Sequence, residues 1–300
     1  MSFTYPVIQQ FIDGQWVVGS GEQERAVINP ATEGEVGRYR QASHADLDRV
    51  IEAAQRGFKV WRSYSPEKRY DLLMRAAMLI RERSDRIATV LSTEGGKAVD
   101  EARREVLRGA ALIEWDAAEG RRLYGRLLPA EPGMRLTMQR EPIGVVAAFI
   151  AWNFPAGFVS RKVGGALAAG CSVVLKSTEE TPGTCVELIE CFADAGIPAG
   201  VVNLVVGDPG MIAERLIAAP AVRAISFTGS SAVGKVIGGL CAQHVKHCVL
   251  ELGGHSPVIV CEDADLDLAV TSMVSGKFLN NAGQVCVAPT RFFIDHKIWL

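Results

Sequence analysis

A doubly wound α/β fold is predicted for this chain of 300 residues by three features of its central region. First, short β-branched apolar runs at 145–151, 172–176, 201–206 and 224–227 alternate with helix-length stretches at 157–169, 182–195 and 210–218. Second, the runs are continuously apolar, as expected for parallel strands covered on both faces. Third, each run passes through a turn into a helix, the order of a Rossmann-like sheet. Such sheets bind ligands at the carboxyl ends of their strands.

The flanking segments follow in order. Residues 6–40 read as short strands and turns, with Asp13-Gly14 between Phe11-Ile12 and Gln15-Trp16-Val17-Val18 as a hairpin signal. From Ser43 to about Asp85 the apolar period becomes helical. Ser43 offers a capping hydroxyl to a first helix, and Ser65-Pro66-Glu67 opens a second with proline in its first turn. A further amphipathic stretch covers 97–121. Residues 127–142, containing Pro129, Pro132, Gly133 and Pro142, are expected to leave the main body as an extended excursion. A new segment starts near Leu252, with a strand at 258–260 and a helix at 266–279.

Composition excludes several classes. With 48% apolar and 22% charged residues the chain is not a disordered one. Its length suits about two domains at roughly 100–200 residues each. A net charge of −2 provides no global field for nucleic acid or an anionic membrane. The opening residues lack the pattern of a secretory signal, and no apolar run approaches the roughly 20 residues of a membrane span. Seven cysteines, without a Cys-x-x-Cys pair, argue against a disulfide framework and for a reducing cytoplasm. Five scattered histidines suggest no metal site.

Several residues have the chemistry of a site, each with a plainer reading beside it. Phe227-Thr228-Gly229-Ser230 ends a strand and opens a helix, so its small residues and free N–H groups suit a pyrophosphate. They equally suit any strand-to-helix turn. Lys176 closes a strand with Glu179 three residues on; the two could hold ribose hydroxyls, or form a solvated turn with a capping glutamate. Glu251 ends an apolar strand before Gly253-Gly254; buried there, its carboxyl would be raised towards the range of a general base. At the strand end it would instead reach solvent. Cys286 lies in the loop-like run Asn281-Ala-Gly-Gln-Val-Cys, unlike the other six cysteines, which read as packing. Asn153, in Trp152-Asn-Phe-Pro155, could donate to a developing oxyanion or simply make a turn.

Taken together, Trp152-Asn-Phe-Pro155, Phe227-Thr-Gly-Ser230, Glu251-Leu-Gly-Gly254 and Gly283-Gln-Val-Cys286, in this order, resemble the NAD(P)-dependent aldehyde dehydrogenase superfamily. Asn29-Pro-Ala-Thr-Glu-Gly and Lys176-x-x-Glu179-x-Thr-Pro182 extend the likeness over essentially the whole chain. The resemblance implies the aldehyde dehydrogenase fold. Residues 1–126 and 143–251 would be the NAD-binding domain, 127–142 an oligomerisation-type hairpin, and 252–300 the start of a second, catalytic α/β domain. It also implies Cys286 as nucleophile, Glu251 as general base and Asn153 in the oxyanion hole. Trp152, Lys176, Glu179, Phe227, Thr228, Gly229, Ser230 and Gly253 would bind the cofactor. Glu179 favours NAD over NADP, since a carboxylate near the 2′-position repels an added phosphate.

Departures from the family pattern include Ala151 before Trp152, Ser177 after Lys176, Ala232 after Ser230 and His255 after Gly254. They are expected to alter loops more than chemistry. Glu119-Gly-Arg-Arg-Leu-Tyr-Gly125 and Arg161-Lys162 most resemble succinate-semialdehyde and related ω-oxo-acid dehydrogenases, in which Arg161 would bind the substrate carboxylate. Family members continue well beyond their nucleophile, whereas this chain ends at Leu300, so the resemblance implies a fragment or truncated product. The expected partners are a small aldehyde and, at full length, further copies of the chain. A catalytically silent nucleotide-binding or subunit-association protein is the alternative.

Overall fold

The computed structural model describes residues 3–299. It begins with two antiparallel pairs, β1 (Gln10–Ile12) with β2 (Gln15–Val17), and β3 (Glu24–Ile28) with β4 (Glu35–Arg40). Helices α1 (His44–Arg62), α2 (Pro66–Glu82), α3 (Ser84–Gly95) and α4 (Val99–Gly120) follow. An exposed hairpin of β5 (Arg126–Leu128) and β6 (Leu136–Met138) comes next. The alternating region holds β7 (Val145–Phe149), α5 (Pro155–Ala168), β8 (Ser172–Lys176), α6 (Pro182–Asp194) and β9 (Val202–Val205). It continues through α7 (Pro209–Ala218), β10 (Val222–Thr228), α8 (Ser231–Gln243) and β11 (His247–Glu251). The last unit is β12 (Val258–Val260), α9 (Leu266–Phe278) and β13 (Phe292–Ile294).

Local chemistry accounts for many of these boundaries. Asp13 and Gly14 both have positive φ, 53° and 79°, the conformation a two-residue hairpin turn requires. Ser43 accepts from the Asp46 backbone N–H while the Asp46 side chain accepts from that of Ser43, a complete capping box. Ser65 caps α2 with Pro66 in its first turn. Helix α3 was not expected. A single residue, Arg83, separates it from α2, so no proline or glycine marks the break; its exit does carry such a mark, Gly96 at φ 70°. Strand β13 was also unforeseen, because it takes its place only by pairing with β12.

The main sheet has seven strands in the order β11-β10-β7-β8-β9-β1-β2. Five are parallel, as expected, whereas the β1–β2 hairpin joins antiparallel through Phe11 opposite Leu204. The sheet is therefore mixed, because a hairpin from the chain's beginning covers the β9 edge. Alternate residues feed two cores. Val173 and Leu175 pack among α2 to α6, while Val174, Ala147 and Phe149 pack against α1, α7 and α8. Strand order reverses between β7 and β10, and such a switch point opens a crevice at the carboxyl ends of the strands. Among the described residues, no helix is long and apolar enough to cross a membrane.

Helix α1 lies so close to the loop before β9 that a Cβ on Gly57 would fall 2.2 Å from the carbonyl carbon of Gly200. Backbone cannot yield cheaply there. Gly57→Ala should therefore lower stability by about 2 kcal/mol or more, read as a reduced midpoint of urea unfolding.

Candidate active site

The crevice at the switch point gathers the sequence-selected residues. Trp152 and Asn153 follow β7, Lys176 ends β8 with Glu179 just after it, Phe227 and Thr228 end β10 with Gly229 and Ser230 just after them, and Glu251 ends β11. With Gly253 and Cys286 they line one cleft of about 700 Å³. A second cleft, about 560 Å³, lies between α4, α5 and the Cys286 loop and contains Arg161. Cys286, Val285 and Phe158 line both. The thiol is exposed at their junction.

Each position has a local cause. An ideal Cβ on Gly229 would approach the Phe227 ring to 2.5 Å, so only glycine lets the chain turn over that buried side chain. The Ser230 hydroxyl caps α8 by accepting from Val233 N, which leaves the helix N-terminus facing the cleft. Lys176 is 5% exposed and forms an ion pair with Glu179. The capping alternative for Glu179 does not hold, since α6 begins after Thr181 without a side-chain cap.

Two of these residues have surroundings that the motifs alone do not give. Of the two readings open for Glu251, the strand-end one holds: it is exposed, at the end of the outermost strand β11. Asn153 is not waiting with a free amide. Its Nδ2 donates to the Gln284 carbonyl at 2.8 Å, tying the turn after β7 to the Cys286 loop, and leaves one amide hydrogen over.

That loop is held in an unusual shape. Asn281, Ala282 and Gly283 have successive φ values of 49°, 52° and 79°. Left-handed backbone costs a non-glycine residue roughly 1–2 kcal/mol, so the surroundings must over-determine it. They do so through Asn281, whose backbone N–H donates to Glu101 and whose Nδ2 donates to the Asn153 carbonyl at 3.0 Å. A Cβ on Gly283 would lie 2.6 Å from the Lys277 carbonyl oxygen.

Beneath the Asn153 turn lies a buried ion pair that sequence reasoning missed. Lys97 meets Glu105, with the two side chains 1% and 6% exposed. Lys97 also donates to the Asn153 carbonyl at 2.9 Å and sits over the Phe154 ring at 3.9 Å. Glu105 accepts from the Gly157 N–H at 3.1 Å, in the first turn of α5. Burial pushes the Glu105 carboxyl up, and Lys97 opposes that shift. The sequence contained a faint signal, a lysine just after Gly95-Gly96 followed by a glutamate inside an Ala-rich helix. Lys162 was also missed except as a neighbour of Arg161. Its ammonium donates to Ser226 Oγ at 2.8 Å, and burial lowers it to about 8, with Glu251 opposing and Arg161 assisting.

Comparison with known proteins then decides the family. The aldehyde dehydrogenase family profile matches residues 16–300. This chain belongs to the aldehyde dehydrogenase family. It is 46% identical over 296 residues to the 4-(hydroxymethyl)benzenesulfonate dehydrogenase TsaD1 of Comamonas testosteroni, covering 98% of this chain and 62% of that protein. It is 39% identical to the succinate-semialdehyde dehydrogenase [NADP(+)] GabD of Escherichia coli, covering 97% and 60%. The crystal structure of succinate-semialdehyde dehydrogenase from Burkholderia pseudomallei superposes with a TM-score of 0.95 at 41% identity, covering 98% and 61%. The aldehyde dehydrogenase fold inferred from the motifs is thus the observed one. The chain spans about three-fifths of the length of these relatives.

Two outcomes test this part of the family fold. Lys97→Met strands Glu105 and should cost roughly 3–5 kcal/mol; adding Glu105→Leu should recover most of it in a double-mutant unfolding cycle. The depressed Lys162 predicts a pH effect. Between about 8 and its ordinary value of 10.5, the unfolded chain binds the proton more than the folded one. Stability from this group therefore rises with pH across that window. Lys162→Met should flatten the rise in the urea midpoint.

Proposed function

We propose that this protein oxidises an aldehyde to its carboxylic acid with NAD(P), through a covalent intermediate on Cys286. The observation that carries the reading is the position of Cys286 at the junction of two clefts, one with cofactor-type residues and one with room for a substrate. The residues present fit a dinucleotide. The α8 N-terminus, behind a glycine that admits no side chain, suits a pyrophosphate, and the Lys176–Glu179 pair suits ribose hydroxyls.

In this reading the Cys286 thiolate adds to the aldehyde carbon, and the carbonyl oxygen takes up the negative charge. The remaining Asn153 amide hydrogen and the Cys286 backbone N–H hold that oxyanion. When bound, NAD(P) supplies the hydride acceptor that converts the adduct to a thioester. Glu251 then takes a proton from water as its oxygen attacks the thioester, releasing the acid and the Cys286 thiolate. Solvent access at the end of β11 favours delivery of that water.

The substrate is an aldehyde with a second, acidic group. The relatives' names point this way, one carrying a sulfonate and others a dicarboxylic semialdehyde such as succinic semialdehyde. Arg161 in the substrate cleft has the matching charge. NAD is preferred to NADP because of Glu179, although GabD bears NADP(+) in its name. The exposed β5–β6 hairpin is the surface for association with further copies, and the free cysteines fit the cytoplasm. A catalytically silent association protein has less support, because the strained Cys286 loop is held by several directed hydrogen bonds that mere packing would not need.

Iodoacetamide should label Cys286 ahead of the buried cysteines by peptide mass spectrometry, and Cys286→Ser should reduce aldehyde-dependent NADH formation by about a thousandfold or more. Glu251→Gln should slow turnover by roughly 10²–10⁴-fold while an acylated Cys286 accumulates. Glu179→Ser should raise the NADP-to-NAD ratio of kcat/KM; a several-fold preference of the unaltered protein for NADP would overturn the cofactor assignment.

A further inference from the structure

We propose that Arg104 and Arg108 form, with Arg161, an anion-binding wall in the Cys286 cleft that selects aldehydes bearing a sulfonate at the far end. The proposal deepens the dehydrogenase reading and rests on it for the word substrate. The wall itself rests on the second cleft. Arg104 and Arg108 stand one turn apart on α4, so they project from the same face. Arg161 comes from α5, which packs tightly on α4: a Cβ on Gly109 would lie 2.6 Å from Ser160 Oγ. All three guanidinium-bearing residues line the cleft that Cys286 also lines.

The charges around them explain why an anion is wanted. Arg103, their neighbour on α4, is paired with Asp85 at 2.9 Å. Among the described residues, Arg104, Arg108 and Arg161 make no ion pair or hydrogen bond of this kind. Of the acids beside them, none forms an ion pair or hydrogen bond with these arginines. Glu105 serves Lys97 and the Gly157 N–H, and Glu101 accepts from the Asn281 N–H. Asp116 faces Arg161 electrostatically, but burial raises its carboxyl to about 6 and it holds no hydrogen bond to that arginine. With Glu105 neutralised by Lys97, three arginines outnumber Glu101 along the cleft, which is left cationic.

The other walls are apolar. Leu112, Phe154, Phe158 and Leu279 would cover the body of a substrate between its two polar ends. A carboxylate offers two oxygens in one plane, and a single guanidinium fork engages both, so further guanidiniums must share them. Three forks outnumber it. A sulfonate offers three oxygens and stays ionised throughout the working pH range, so it can accept from several guanidiniums at once. Guanidinium groups are also weakly hydrated and lose little on entering such a contact.

The test uses the full 300-residue chain and needs neither cofactor nor turnover, so its failure is separable from failure of the dehydrogenase reading. The rate of Cys286 alkylation by iodoacetamide is measured with para-toluenesulfonate, para-toluate or para-methylbenzyl alcohol present, and exposed Cys261 serves as internal reference. Para-toluenesulfonate should protect Cys286 about tenfold better than the alcohol, a difference of about one decade in affinity, with para-toluate between them. In R104Q/R108Q the sulfonate should lose most of this advantage, with protection compared with and without probe in the same variant. R104K/R108K should recover part of it, which a loss of packing would not allow. Absence of sulfonate protection, equal protection by sulfonate and carboxylate, or protection lost only in Arg161→Gln would each overturn the proposal. Aldehyde-dependent NADH formation, assayed separately, reports on the dehydrogenase reading.

Discussion

The buried pair of Lys97 and Glu105 is the constraint on which the site is built. Removing two opposite charges from water is costly, and the cost is repaid only if both ends are fully hydrogen-bonded. Here the repayment is spatial as well as energetic. Lys97 fixes the Asn153 carbonyl and stacks on Phe154, and Glu105 fixes the first turn of α5. The turn after β7 thus has one permitted shape. Asn153 passes this order on, through its carbonyl to Asn281 and through its amide to Gln284, so the Cys286 loop inherits its position from a pair buried beneath it.

Helix α4 supplies both sides of this arrangement. Its first turns carry Glu101 and Glu105, four residues apart, which hold the Cys286 loop and the α5 turn. The same surface carries Arg104 and Arg108 into the cleft beside Cys286. One helix therefore sets the shape of the site and its charge. Left-handed backbone at Asn281 and Ala282 is tolerated because these contacts over-determine it. The sheet contributes the other requirement, a crevice at the reversal of strand order where the ends of β7 and β10 diverge.

The parallel strands and their helices were legible because each carries its own signal: β8 falls on the predicted residues, and α1 and α2 start at the predicted serines. Helix α3 was hidden because a helix-to-helix break at Arg83 needs no glycine or proline. Glu251 shows a different limit. An apolar strand ending in glutamate leaves burial and solvent exposure equally open, because the run does not state whether the strand is central or outermost, and β11 is outermost. Asn153 and Cys286 could be selected by residue type and loop context, whereas the bond from Asn153 to Gln284 joins positions 131 apart and leaves no local trace.

By itself the sequence determined what is local: strand and helix periods, caps, glycine turns, and the residue types able to do aldehyde chemistry, in an order that matches one family. Tertiary structure alone decided which strand lies at the edge, which lysine meets which glutamate, and which arginines share a cleft with the thiol. The physical reason is range. Propensity and capping act within a turn or two of chain, while burial, ion pairing and cleft charge depend on groups brought together from distant positions by the packing of α4 and α5 on the sheet.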